Sequence, residues 1–177
     1  MLKTEQRLEK RGMGNEYRAW RQLLDRLPPF TFDYYLTVSY RYRQTHDEVQ
    51  NLNRKLKRWM CRDFSNCRIL SESSMNFLFF IERHDKSDAC HTHCLFSLPL
   101  NYFSSTPYAN DNSQKREDYV RADTNGALKR LKSPSGGYLV GSQWRLKKIH
   151  SLNRLYDYHL KQLDFTDCVD VMNSDLT

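Results

Sequence analysis

The sequence predicts an α+β domain built on a central antiparallel sheet, and three observations carry that prediction. Two apolar runs, FLFFI (77–81) and ACHTHCLF (89–96), flank a short polar segment and read as the strands of a hairpin. The run YYLTVSYR (34–41) alternates as a further strand. Amphipathic stretches with their own start and stop signals lie between and after these runs. The resulting order, strand-helix-strand-strand-helix-strand-helix, gives the α+β class, with helices expected mostly on one face of the sheet.

Taken in order, residues 4–27 read as a helix loosened at Gly12 and Gly14, with Tyr17, Trp20, Leu23, Leu24 and Leu27 in one stripe and Pro28 and Pro29 as its stop. Residues 1–33 are therefore expected to form a helical appendage. In the strand that follows, Tyr34, Leu36, Val38 and Tyr40 share an apolar face, while Tyr35, Thr37, Ser39 and Arg41 share a polar face that can meet a ligand. Thr45 and Glu48 make a capping box for a helix over about 46–63, whose buried stripe is Val49, Leu52, Leu56, Trp59 and Met60. Arg54, Lys55, Lys57 and Arg58 lie on its outer face, as solvated charge or as phosphate contacts. The polar stretch 101–116 reads as loop, 115–132 as a weak helix interrupted by Gly126, and 138–149 as the last strand or strands. Trp144, Leu146 and Ile149 anchor that last segment. Ser151 opens the final helix, 151–163, with Leu152, Leu155, Leu160 and Leu163 among its apolar positions.

The chain has 177 residues, enough for one domain with a real core. A net charge of +7 points to a polyanionic partner, most simply nucleic acid. No apolar stretch is long enough to span a bilayer and the N-terminus lacks a signal-peptide pattern, so a cytoplasmic protein with no membrane partner is expected. The five cysteines follow no disulfide-framework spacing, as befits reduced thiols.

The hairpin at 77–98 organises the chain. Because strand side chains alternate, His91 and His93 point to one face while Cys90, Thr92 and Cys94 point to the other. A tight turn around Lys86–Asp88 brings Glu82 opposite His91 or His93, depending on register. Two imidazoles and a carboxylate leave positions open on a divalent cation, as a catalytic site requires, and this ligand set admits manganese, magnesium or zinc. A zinc site using Cys90 and Cys94 is opposed by the same alternation. The final helix carries Tyr158-His159-Leu160-Lys161, in which Tyr158 and Lys161 are three apart and share a face. Tyr156 lies about 200° away around the helix and is not expected to serve the same site.

A His-x-His strand with an acidic residue on the preceding strand, an aromatic-Leu-Thr strand (Tyr35, Leu36, Thr37) and a later Y-x-x-K helix resemble, over about residues 34–163, the HUH endonucleases, and within them the rolling-circle replication initiators. Thr92, between the histidines, departs from the usual bulky hydrophobe. The resemblance implies a ferredoxin-like split β-α-β fold over 34–165, followed by a tail at 166–177. It implies a magnesium or manganese ion on Glu82, His91 and His93, with Tyr158 as nucleophile and Lys161 as charge-stabilising partner. The implied activity is nicking of single-stranded DNA at a replication origin of a plasmid or phage, through a 5′-phosphotyrosyl intermediate. Thr37, Ser39, Arg41, Arg145, Lys147 and Lys148 are the candidate DNA contacts. No G-x-x-x-x-G-K-[ST] loop occurs, so the implied helicase is one supplied in trans by a host. The alternatives are a single-tyrosine HUH transposase and a noncatalytic single-strand-binding domain whose aromatics stack bases.

Overall fold

Four strands form one antiparallel sheet in the order β2-β3-β1-β4, where β1 is Tyr34–Val38, β2 Phe77–His84, β3 Ser87–Phe96 and β4 Arg145–Lys148. The helices are α1 (Gly14–Asp25), α2 (His46–Phe64), α3 (Ser113–Lys129) and α4 (Leu152–Leu160). The structure is a computed structural model that describes residues 6, 9, 12–27, 32–64, 75–84, 87–99, 102–103, 112–133, 135–141, 144–160 and 168–175, with backbone only at 84 and 87–89. From β1 onward the elements follow the expected order, and the α+β class with a central antiparallel sheet is what the chain adopts.

Each face of the sheet has its own core. On one, Tyr34, Leu36, Val38, Phe77, Phe79, Cys94 and Phe96 pack against Leu56, Met60 and Phe64 of α2 and Val120, Ala127 and Leu128 of α3. On the other, Leu78, Phe80 and Leu95 pack against Tyr17 and Leu24 of α1 and Tyr156 and Leu160 of α4. The expectation of helices mostly on one face is thereby corrected. The uninterrupted FLFFI run is the reason, since Leu78 and Phe80 lie on the face opposite Phe77 and Phe79 and need cover of their own. Each such side chain removed from water contributes about 1.5–3 kcal/mol, which favours the second pair of helices strongly.

Several boundaries also move. β1 stops at Val38, and Tyr40 meets Val140 only through an isolated bridge. β2 runs to His84 and β3 starts at Ser87, so Ser87 and Asp88, expected in the turn, belong to β3. α3 starts at Ser113, where the Asn112 side chain accepts from the Lys115 amide at 3.0 Å, and it runs through Gly126 without a break. A Cβ at Gly126 would stand 3.1 Å from Asp63 Oδ2, so the glycine serves the close approach of α3 to α2. The capping box of α2 forms as read: the Thr45 amide donates to Glu48 Oε2 at 2.8 Å and the Glu48 amide to Thr45 Oγ1 at 3.3 Å. At the N-terminal side, Gly12 takes a positive φ of 79° and α1 begins two residues later.

Residues 168–175 close the outer edge of β2. Ile81 N donates to Cys168 O at 2.8 Å, Asp170 N to Phe79 O at 3.0 Å, and Asp175 N to Phe77 O at 2.7 Å. From this segment the buried Asp170 carboxylate reaches under β3. Its Oδ2 accepts from Asn53 Nδ2 at 2.9 Å and Asn173 Nδ2 at 2.7 Å. Asn53 Oδ1 accepts from the Thr92 hydroxyl at 2.6 Å, and Tyr40 in turn donates to Thr92 at 2.9 Å. Thr92 has a structural role of its own: its hydroxyl joins a buried polar chain that ties β3 to α2 and to the C-terminal segment.

Replacing Asp170 by Ala strips the acceptor from two buried amides and is expected to cost roughly 2–4 kcal/mol, read as a lower urea midpoint with an unchanged slope. A midpoint within about 0.5 kcal/mol of the parent would show that this network carries little stability.

Candidate functional site

The register of the hairpin decides where the histidines go. Glu82 stands directly opposite His91, and Phe80 directly opposite His93, which in turn pairs across the other side with Thr37 of β1. These residues share the sheet face that α4 partly covers, while Cys94 lies in the core on the opposite face and Cys90 packs with Val49 and Ile81. The cysteines and histidines are thus separated by the thickness of the sheet, as strand alternation requires.

The three ligands expected from sequence come together around one carboxylate. Glu82 Oε2 lies 2.7 Å from His93 Nε2 and 3.4 Å from His91 Nε2, and the two imidazole centroids are 4.8 Å apart. All three side chains are largely buried. On the far side of the His93 ring, Nδ1 is 2.5 Å from the Tyr35 hydroxyl and 3.3 Å from Thr37 Oγ1. Burial pushes the Tyr35 phenol well above its usual range, so it keeps its proton. A hydroxyl both donates and accepts, so Tyr35 serves either tautomer of His93. It accepts from Nδ1–H when Nε2 offers its lone pair to a cation, and donates to Nδ1 when Nε2–H donates to Glu82.

One participant was not foreseen. His159, on α4, offers a ring nitrogen that lies within 4.8 Å of the donor atoms of Glu82 and His93. It is 1 % exposed, stacked on Phe80 at 4.5 Å and 18°, with its centroid 4.5 Å from that of His93. The sequence held a signal for it: His159 falls in the stripe of Leu152, Leu155, Tyr156 and Leu160, an apolar position that a solvated histidine would not occupy. Carboxylate and imidazole donors of this kind fit a divalent cation, and this buried group can bind a metal ion.

The two tyrosines of α4 separate as their half-turn offset demands. Tyr156 is 2 % exposed in the core beneath Arg21 of α1, its hydroxyl pushed up to about 12 by burial. Tyr158 is 46 % exposed, with its ring 6.3 Å from that of His93 and nearly perpendicular to it. Helix α1 buttresses this arrangement, since Tyr17 donates to Asp157 at 2.8 Å and Arg21 Nε lies 3.1 Å from the same oxygen. Lys161 lies outside the described residues.

A cleft of ≈ 400 Å³ opens onto the site, bounded by β1 residues Tyr35 and Thr37, by Ser39, by the two histidines of β3, by Arg145 and Lys147 of β4, and by Tyr158. Four of the six expected DNA contacts are therefore gathered beside His91 and His93. The other two are not. With β1 ending at Val38, Arg41 lines a separate groove with Tyr138 and Trp144. Lys148 lines a cavity between α1 and α4 together with Leu24 and Tyr156.

No family model, curated protein or solved structure matches this chain. The chemistry of the site therefore rests on its own residues.

Manganese at about 100 times its dissociation constant should add about 2.7 kcal/mol to folding stability, seen as a rise in Tm that a chelator reverses. Glu82→Ala and His93→Ala should each remove most of that rise. An unchanged Tm for the parent protein in millimolar manganese would count against a metal centre here.

Proposed function

We propose that the chain is a metal-dependent single-stranded DNA nickase and strand transferase of the HUH type, which initiates rolling-circle replication of a plasmid or phage. The observation that carries this reading is the meeting of an exposed tyrosine with a carboxylate-imidazole cluster at the end of a basic cleft. An ordinary surface tyrosine has no reason to sit there, and a single-strand-binding domain has no use for three converging metal ligands. The ferredoxin-like split β-α-β arrangement is part of the proposal. In its favour, β4-β1-β3-β2 is the strand order produced when two β-α-β units interleave, with α2 and α3 as the crossovers on one face.

In this mechanism Glu82, His91 and His93 would hold a divalent cation, which would supply positive charge to neutralise the scissile phosphate. Arg145 and Lys147 engage the phosphates of the approaching strand, and Thr37, paired directly with Arg145 across the strands, lines the cleft beside them with Ser39. The Tyr158 hydroxyl attacks phosphorus in line. A bond forms from its oxygen to phosphorus as the P–O3′ bond breaks, the phenolic proton being lost while O3′ gains one. The products are a 5′-phosphotyrosyl strand and a free 3′-hydroxyl. The phosphotyrosyl bond conserves the energy of the phosphodiester, so rejoining needs no nucleotide cofactor. Lys161, three residues on, steadies the transferred charge. Substrate is single-stranded because a paired strand resists the bend that brings phosphate and tyrosine together.

The test is a denaturing gel with end-labelled single-stranded origin DNA. Tyr158→Phe should abolish the covalent adduct, whereas Tyr156→Phe should keep most of it; His91→Ala and His93→Ala should lose nicking but retain binding. An adduct surviving in Tyr158→Phe would sink the assignment.

The cleft makes a separate demand. Arg145→Ala and Lys147→Ala should each weaken single-strand binding and flatten the dependence of log K on log salt by about 0.7 for every phosphate no longer neutralised. A slope equal to the parent's in both variants would place the DNA elsewhere.

A further inference from the structure

The ligands on β2 and β3 place a cation relative to the sheet, but they leave open what holds the nucleophile to it. Tyr158 is on a different element, exposed, and its ring meets His93 only at 6.3 Å. Its chain neighbour is in the opposite situation. His159 points about 100° away around the helix, into the buried side, where it lies against Phe80 and His93 with a donor nitrogen within 4.8 Å of those of Glu82 and His93.

We propose that His159 is a ligand of the same cation, so that metal binding fastens the nucleophile helix α4 to the sheet, and that the enlarged donor set selects a six-coordinate cation of the manganese type. This rests on the metal-dependent reading above and deepens it. Fixing the His159 ring fixes the backbone of the adjacent residue, so Tyr158 is presented to the phosphate only when the site is loaded. Glu82, His93 and His159 have donor atoms all within 4.8 Å of one another, and His91 Nε2, 3.4 Å from Glu82 Oε2, completes a set of one carboxylate and three imidazoles. Magnesium favours oxygen donors and keeps its waters, so a set dominated by imidazole disfavours it. Zinc accepts imidazole readily but prefers four tetrahedral ligands, a number these protein donors already supply before a phosphate oxygen arrives. Manganese, with six positions, accepts the protein donors and still has room for substrate.

The experiment uses the full chain and reads binding and helix protection rather than turnover. Manganese affinity is measured by calorimetry and by loss of the free-ion electron paramagnetic resonance signal. Hydrogen exchange of the α4 amides is followed with and without manganese. In the parent protein, manganese should slow α4 exchange by about tenfold or more, and magnesium should bind at least about tenfold more weakly. His159→Phe keeps a ring against Phe80 while removing the donor. It should bind manganese about tenfold or more weakly and lose the protection of α4, with metal-free exchange elsewhere matching the parent. Parent α4 amides indifferent to manganese would overturn the proposal even if His159→Phe failed to fold. So would a variant that binds manganese as tightly as the parent. Magnesium binding equal to manganese would overturn the selectivity. A parent protein that forms the Tyr158 adduct yet shows these outcomes would lose only the role of His159. A parent that binds no divalent cation would lose the metal-dependent reading with it.

Discussion

Everything at the site depends on the register of β3 against β2. Strand side chains repeat every two residues, so a slip of one position would turn His91 and His93 into the α2/α3 core and bring Cys90, Thr92 and Cys94 to the cleft. Such a slip is opposed twice over. It would bury imidazoles in an apolar layer and strand the Thr92 hydroxyl away from Asn53. Aromatic and aliphatic pairs such as Phe79 with Cys94 and Leu78 with Leu95 add the apolar share. The polar chain from Tyr40 through Thr92 and Asn53 to Asp170 thus does on the hidden side of the strand what the ligand cluster needs on the visible side.

The same constraint shapes the electrostatics. Glu82 is a largely buried carboxylate whose oxygen faces His91 and His93, so its charge is answered within the fold by imidazole N–H donors or by a cation that takes their place. The Tyr35 hydroxyl lets His93 change partner without a change of position. The sheet can therefore accept a cation at this carboxylate without a change in its own geometry.

Much of this was legible in the chain. Period-two alternation in HTH placed the histidines on one face, and pairing placed Glu82 beside them. The half-turn offset in YDY distinguished Tyr158 from Tyr156, because a 3.6-residue period cannot bury both. What escaped the reading was what periodicity does not encode. FLFFI reported burial on both faces but not which segment supplied the second cover, and α1 filled that place through Tyr17 and Leu24. His159 has no role in the Y-x-x-K pattern, although its position in an apolar stripe marks it as buried. Residues 168–175 place only Cys168 and Val169 in the core and are otherwise held by hydrogen bonds to the edge of β2 and to buried side chains, a mode of packing that leaves no hydrophobic period in the sequence. The interruption expected at Gly126 failed for a related reason: glycine there answers the proximity of Asp63, a tertiary fact.

The edge-closing segment has a consequence for how the molecule is made. FLFFI is an apolar, uncharged run of the sort that recruits a foreign strand wherever its backbone is left open. At the other edge of the sheet, β4 is short and carries Arg145, Lys147 and Lys148, a sequence poorly suited to such pairing. β2 has no such protection of its own, and the residues that cap it follow every other described element in the chain. During synthesis its amides wait for roughly ninety further residues, on the order of five to twenty seconds at usual elongation rates. In that interval the nascent chain is exposed to self-association, so its yield in a cell should depend on chaperone capacity and on translation speed after the hairpin.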